Sequence, residues 1–283
     1  MYYITLTVGD ETLILDHEHG YDISTIDGLT GVTARLDTVQ SNTNLGVAVQ
    51  SGSVGGQKLV VRGYILDHNV AAKQALLSLL KPMAKGVITV YNLPTATSRL
   101  TPYRQTDFVV QTTPKITQTK HSKFSFELFQ PNPTWRAMEA SRIVLSTNTY
   151  FDPVTATVDG ETKADYDWTV YANAPIKTLT LDVRTSVAAD EMPYRGVLSF
   201  DFASLDPDGV TGNIHVWRKN GKLKATLGDT DIIPYLALSH YMLDGLREGE
   251  TEFRALASNG SPVECVSMLT YYPSYVGVVL SGI

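Results

Sequence analysis

A single cysteine, Cys265, excludes an internal disulfide framework and a cysteine-rich zinc site. It lies in a run where Val263, Cys265 and Ser267 alternate with Val266 and Met268, so a packed thiol is expected. Basic charge is also in short supply: 23 Lys and Arg stand against 29 Asp and Glu, a formal net charge of −6. Broad nucleic-acid binding is therefore not expected, because it needs a basic face to displace counterions. No apolar run approaches the roughly 20 residues of a spanning helix, so membrane insertion is not expected. The opening Met1-Tyr2-Tyr3-Ile4-Thr5-Leu6 has neither a charged leader nor a continuous apolar stretch. The chain is expected to lack a signal peptide, to be made in a cytoplasm and to stay soluble.

Recognisable chemistry is scarce too. Asp16-His17-Glu18-His19 would place two histidines on one side of a strand, but no third or fourth ligand is adjacent and Gly20 follows. A solvated hairpin tip is expected there. Asp206-Pro207-Asp208-Gly209 opens like a calcium loop but lacks the later ligands, so a plain turn is expected. Residues 51–58 are glycine-rich and end in Lys58, without the Gly-Lys-Ser/Thr leading into a helix that cradles phosphate. They read as a loop or turn. There is no Gly-x-Ser-x-Gly elbow, and no spacing singles out one carboxylate pair among 29 acidic residues. No catalytic residue, cofactor-binding residue or metal ligand is assigned, no cofactor is implied, and an enzyme is not expected.

What is present is a globular composition, 43% hydrophobic and 18% charged, long enough at 283 residues for one large or two medium domains. Period-two alternation dominates and predicts a mainly β protein. Strands are expected over residues 2–8, 58–66, 87–91, 107–111 and 123–129, the last with Phe124, Phe126 and Leu128 on one face. Residues 69–81 break the pattern: Ala72, Leu76, Leu79, Leu80 and Met83 recur at helical spacing, with Asn69 or Asp67 as N-cap. Pro82 should stop this helix before Met83 joins it. One helix among strands predicts an α+β N-terminal domain, with the helix laid across one sheet face.

Pro131-Asn132-Pro133 marks a boundary, and residues 136–143 read as a linker or helical turn. Turn signals then recur at Asp159-Gly160, Asn173-Ala174-Pro175, Asp206 to Gly209, Asn220-Gly221 and Asn259-Gly260. Asn220-Gly221 between alternating segments predicts a tight hairpin. Short strands without a long helix predict a β-sandwich, giving domains over 1–136 and 137–283. Trp168, Trp217, Tyr271 and Tyr272 could stack on sugar rings if exposed; as strand residues they are expected in or beside the core.

Several segments of the first half carry a resemblance. In order they are the turn Ile26-Asp27-Gly28-Leu29-Thr30-Gly31, a loop with Gly46, Gly52, Gly55 and Gly56, and the strand Val60-Val61-Arg62-Gly63-Tyr64-Ile65. The single helix follows, then a strand pair, and then the aromatic strand from Phe124 to Gln130 running into Pro131-Asn132-Pro133-Thr134-Trp135. Their order resembles the N-terminal domain of siphophage distal tail proteins, and Leu246 to Phe253 is similar to the turn and strand near that family's end. The resemblance implies a homo-hexameric ring around the tail channel, in the virion, joining the tail tube protein to the tail-associated tip protein. It also implies a galectin-like C-terminal sandwich that anchors receptor-binding proteins. Ring contacts are expected at strand edges, with residues 2–8 and 93–103 as candidates. Two other function classes stay open on the residues alone: a carbohydrate-binding module for host cell-wall glycans, using Trp168 or Trp217, and a glycosidase.

Overall fold

A computed structural model describes residues 3–30, 34–40, 47–92, 101–117, 122–145, 153–186, 193–219, 221–238 and 242–278. Of residues 34–40, 47–54, 68, 92 and 101–102 it describes the backbone alone. The protein is mainly β, with one α-helix among the described residues. It divides into two compact units, Met1–Met138 with Tyr275–Ile283, and Glu139–Ser274. The second unit is thus inserted between two parts of the first, whereas the composition shift after Trp135 suggests two consecutive domains.

In the first unit, β1 (Ile4–Val8) turns at Gly9-Asp10 into β2 (Glu11–Leu15), and β3 (Tyr21–Asp27) follows. β4 (Ala34–Gln40) and β5 (Val47–Val54) pair only with each other among the described residues. β5 runs through residues 51–54, which read as loop in the sequence because serine and glycine carry little strand signal. Then come β6 (Gln57–Ile65), α1 (Val70–Leu79), β7 (Lys85–Asn92), β8 (Thr101–Thr117), β9 (Ser122–Gln130) and β10 (Trp135–Ala137). The main sheet runs β2-β1-β7-β8-β9-β6-β3, antiparallel throughout, and β10 pairs with the start of β8.

Residues 136–143 are therefore not a linker or helical turn: β10 occupies part of them, and the next strand begins at Ser141. The two prolines end β9 and do not prevent a new strand after them. Asn69 caps α1, its side chain accepting a hydrogen bond from the Ala72 amide at 3.0 Å. The helix stops at Leu79, and Met83 stands outside it at φ 68° and 74% exposed, as Pro82 requires. Ala72, Leu76 and Leu79 face a core that includes Ile4, Leu6, Phe124, Phe126 and Leu128. The Tyr21 hydroxyl donates to the Ala72 carbonyl at 2.7 Å, tying the helix to β3. Burial pushes the pKa of that hydroxyl up to about 12. A side chain at Gly63 would meet the Asp22 carbonyl at 2.4 Å and the Phe124 ring at 2.8 Å, so glycine is required there for β6 to lie between β3 and β9.

Residues 275–278 return to this unit. Val278 is buried in its core, and its amide donates to the Leu29 carbonyl at 2.8 Å. The Arg104 guanidinium lies over the rings of Tyr103 (4.7 Å) and Tyr275 (3.6 Å) and donates to the Gly277 carbonyl.

The second unit contains β11 (Ser141–Leu145), β12 (Val154–Val158), β13 (Tyr166–Ile176), β14 (Thr178–Thr185), β15 (Tyr194–Asp201) and β16 (Val210–Lys219). β17 (Lys222–Leu227), β18 (Thr230–Asp231), β19 (Leu236–Ala237), β20 (Gly249–Ser258), β21 (Pro262–Val263) and β22 (Cys265–Tyr271) complete it. One sheet runs β11-β22-β13-β16-β17-β18; the other runs β12-β20-β14-β15-β19, with β21 beside β20. Their inner faces share one core. Trp168 and Phe253, one from each sheet, meet edge to face at 6.4 Å.

Asn173-Ala174-Pro175 is not a turn between strands but a register shift inside β13, where proline's missing donor is tolerated. Gly221 lies in the expected tight turn between β16 and β17; Asn220 lies outside the described residues.

Candidate interaction surfaces

The polar clusters of the sequence resolve into turns. The His19 Nδ1 and amide both meet Asp16 Oδ1, at 2.6 and 2.7 Å, closing the turn after β2. No group of three or more His, Cys, Asp or Glu that could hold a metal occurs among the described residues. In Asp206 to Gly209, the Asp208 amide donates to Asp206 Oδ1 at 2.9 Å, so that carboxylate is engaged by its own turn. Cys265 is buried, and burial raises its thiol pKa.

The aromatic residues separate by strand phase. Trp168 is fully buried and donates from Nε1 to Ser267 Oγ at 3.3 Å, and Tyr271 is buried as well, so neither can stack on a sugar. Trp217 stands half-buried on the outer face of its sheet, stacked on His215 with ring centroids 4.3 Å apart. Asp167 Oδ1 holds His215 Nε2 at 2.6 Å. Further along the same outer face, register places Val144 beside Met268 and Val266 beside Tyr171. Val144 is 62% exposed and Tyr171 52%, which makes this an apolar surface rimmed by polar groups.

The outer face of the other sheet is charged. Asp182 on β14 is only 3% exposed although it points away from the core. Arg184 covers it through Nε (3.2 Å) and Nη2 (2.9 Å), and Arg195 through Nε (3.2 Å) and Nη2 (3.4 Å). Arg184 lies directly across from Arg195 on one side and Glu252 on the other; Asp182 lies across from Arg254.

A strap runs over one edge of the sandwich. Leu246 bridges to Ala164 and Met242 to Val197 of β15, and the Tyr166 hydroxyl of β13 donates to the Leu243 carbonyl at 3.3 Å, so residues 242–246 touch both sheets. Tyr194 donates to Asp244 Oδ1 (2.9 Å) and the Gly245 carbonyl (3.1 Å), and Lys163 pairs with Asp244. Burial raises the Asp244 pKa, but the hydrogen bonds from Lys163 and Tyr194 outweigh it and leave the carboxyl below its ordinary value. Burial, then the bond to Asp244, raises the Tyr194 pKa.

In the first unit, strand edges are the available surface. Of the candidate segment 2–8, Tyr2 lies outside the described residues, and β1 over Ile4–Val8 is paired with β2 on one side and β7 on the other, so it offers no free edge, contrary to expectation. The Gly9-Asp10 turn folds β2 over it. The ends of the sheet are instead β2 and β3. Of the other candidate segment, residues 93–100 lie outside the described residues, and 101–103 open β8.

No family model matches the chain, and no curated protein matches it by sequence. A solved structure does. The crystal structure of the SPP1 Dit protein, a paradigm of the hub adsorption apparatus in phages infecting Gram-positive bacteria, superposes with a TM-score of 0.65. The match covers 96% of this chain and 98% of that one at 12% sequence identity. The fold is that of a phage distal tail protein. Chains of the phage p2 baseplate in its activated conformation, with calcium and with strontium, align at TM-scores of 0.42 and 0.40 and 11% identity. They cover 98% and 95% of this chain, and 100% and 98% of their own.

Within the distal-tail fold, the segments that carried the resemblance fall on the framework of the first unit. Gly28, at φ 92°, closes the turn after β3 under the Lys58 carbonyl. Arg62 pairs with Asp27 across β6 and β3. Phe124, Phe126 and Trp135 are core residues, while Gly31 and Gly46 lie outside the described residues.

Proposed function

We propose that the chain is the structural hub of a siphophage tail, assembling as a homo-hexameric ring that joins the tail tube protein to the tip or baseplate. The second unit, read as a galectin-like sandwich, would anchor receptor-binding components, and the protein would reside in the virion at the tail tip. The observation that carries this reading is the near full-length match in fold to the SPP1 hub protein. The first unit is suited to ring closure. A ring needs two unlike surfaces on each subunit, and the main sheet ends in two unlike strands, β2 and β3, with no further strand paired outside either among the described residues. Head-to-tail pairing of such edges would also protect them from uncontrolled association. The reading requires no catalytic step and no cofactor.

The test is the solution mass of the full chain by light scattering over a concentration series, with negative-stain imaging of the same samples. A mass near six times the 31.0 kDa chain, with a central hole in projection, is expected. A closed dimer, or one chain per particle at every concentration, would overturn the self-assembling ring.

A further inference from the structure

The charged outer face of the second unit holds an arrangement that its own packing does not exhaust. Arg184 and Arg195 sit directly opposite each other on β14 and β15, where like charges repel. Asp182 offsets that cost from beneath, taking the Nε and Nη2 edge of both guanidiniums on one nearly buried carboxylate. With those edges engaged, each guanidinium is fixed in orientation and keeps its Nη1 edge for an outside acceptor. Arg254, on β20 directly across from Asp182, makes a looser pair with Glu252 at 3.5 Å, and its Nε is buried without a partner. The patch sets three arginines against Asp182 and Glu252, with Glu250 further along β20, so its formal charges balance and what sets Arg184 and Arg195 apart is the Nη1 edge that each keeps.

We propose that Arg184 and Arg195 form a binding site for a phosphate ester on the outer face of this sheet. Two guanidiniums from directly opposed positions, with Cβ atoms about 5 Å apart, can share one tetrahedral oxyanion, whereas a flat carboxylate is satisfied by a single fork. The buried Asp182 holds both groups in place before the ligand arrives, which lowers the ordering cost of binding. The same chemistry would be met in a free phosphate or in a phosphodiester-linked polymer of a cell surface.

The experiment is a titration of the full chain, with its arginine side chains nitrogen-15 labelled, with inorganic phosphate and separately with a linear glycerol-phosphate polymer. The Nε–H resonances of Arg184 and Arg195, assigned from the R184Q and R195Q spectra, should move and saturate, and added salt should weaken the effect. Either glutamine variant should weaken binding about tenfold, and the lysine variants R184K and R195K should also weaken it, since charge without the fork is not enough. An R62Q control in the first unit should bind as the parent does. Comparable affinity for both ligands, counted per phosphate, identifies a single ester as the ligand; polymer binding tighter by about tenfold or more identifies an extended chain. Unmoved resonances in the parent, or parent-like titrations in both glutamine variants, which would mean an adventitious ion only, would overturn the site. If a glutamine variant fails to fold, the lysine variants, which keep the charge over Asp182, supply the same assignments for the parent spectra, and the ring is read independently by light scattering.

Discussion

On one outer face of the second unit the outward positions hold Val144, Tyr171, Val266 and Met268; on the other they hold Asp182, Arg184, Arg195, Glu252 and Arg254. Both faces belong to antiparallel sheets covering the same core, so their backbones make the same demands. The difference lies in what each face leaves unfinished. Apolar side chains exposed on a sheet gain little from folding and mark a surface that meets something else. The charged face is internally organised around one buried carboxylate, with its donors partly in reserve.

Removing that carboxylate should have the largest effect. Asp182→Ala strands two opposed arginines, and a loss of about 2–3 kcal/mol in urea unfolding is expected, below a fully buried pair because both arginines are half in water. A loss under about 0.5 kcal/mol would show that water serves the arginines as well as Asp182 does and would erase the contrast between the faces. The strap at the sandwich edge should come next. Tyr194→Phe removes hydrogen bonds to Asp244 and Gly245 and should cost about 1 kcal/mol by the same measurement.

The strap also has a pH signature. Because Asp244 titrates below its ordinary value of 3.8, its contribution is complete above that value and is lost as pH falls through the lower folded one. Tyr194 titrates above its ordinary 10.0, so its contribution is complete below pH 10 and is lost as pH rises through the folded value. Lys163→Met should shrink the acid loss in a stability–pH profile; an unchanged acid limb would place the acid sensitivity elsewhere. The apolar face should give the smallest effects. Val144→Ser and Met268→Ser should each stay within about 0.5 kcal/mol of the parent in thermal unfolding, since neither side chain supports the core. A larger loss would mean that this face contributes to folding.

Strand phase explains what the sequence made legible. Where outward residues are polar, as in Ser122–Gln130, alternation alone picks out Phe124, Phe126 and Leu128 as core. In Cys265–Tyr271 the outward Val266 and Met268 are as apolar as the inward residues, and the inward Ser267 is polar because it accepts the Trp168 indole. Alternation there has no contrast to read. The helix was legible to within a few residues because Asn69 and Pro82 carry local, one-residue signals. The charged site was not, because Asp182, Arg184, Arg195 and Arg254 meet only through pairing between β14 and two separate strands. The burial of β1 between neighbours was hidden for the same reason: an edge is a property of the sheet and not of the strand.

The insertion of the second unit within the first bears on how the protein is made. Val278, which fills part of the first unit's core, follows the whole second unit in the chain. During synthesis the first unit must therefore wait, nearly complete, while the second emerges and folds. The first unit's last packing step, the seating of Val278, therefore comes only after the whole second unit has been synthesised.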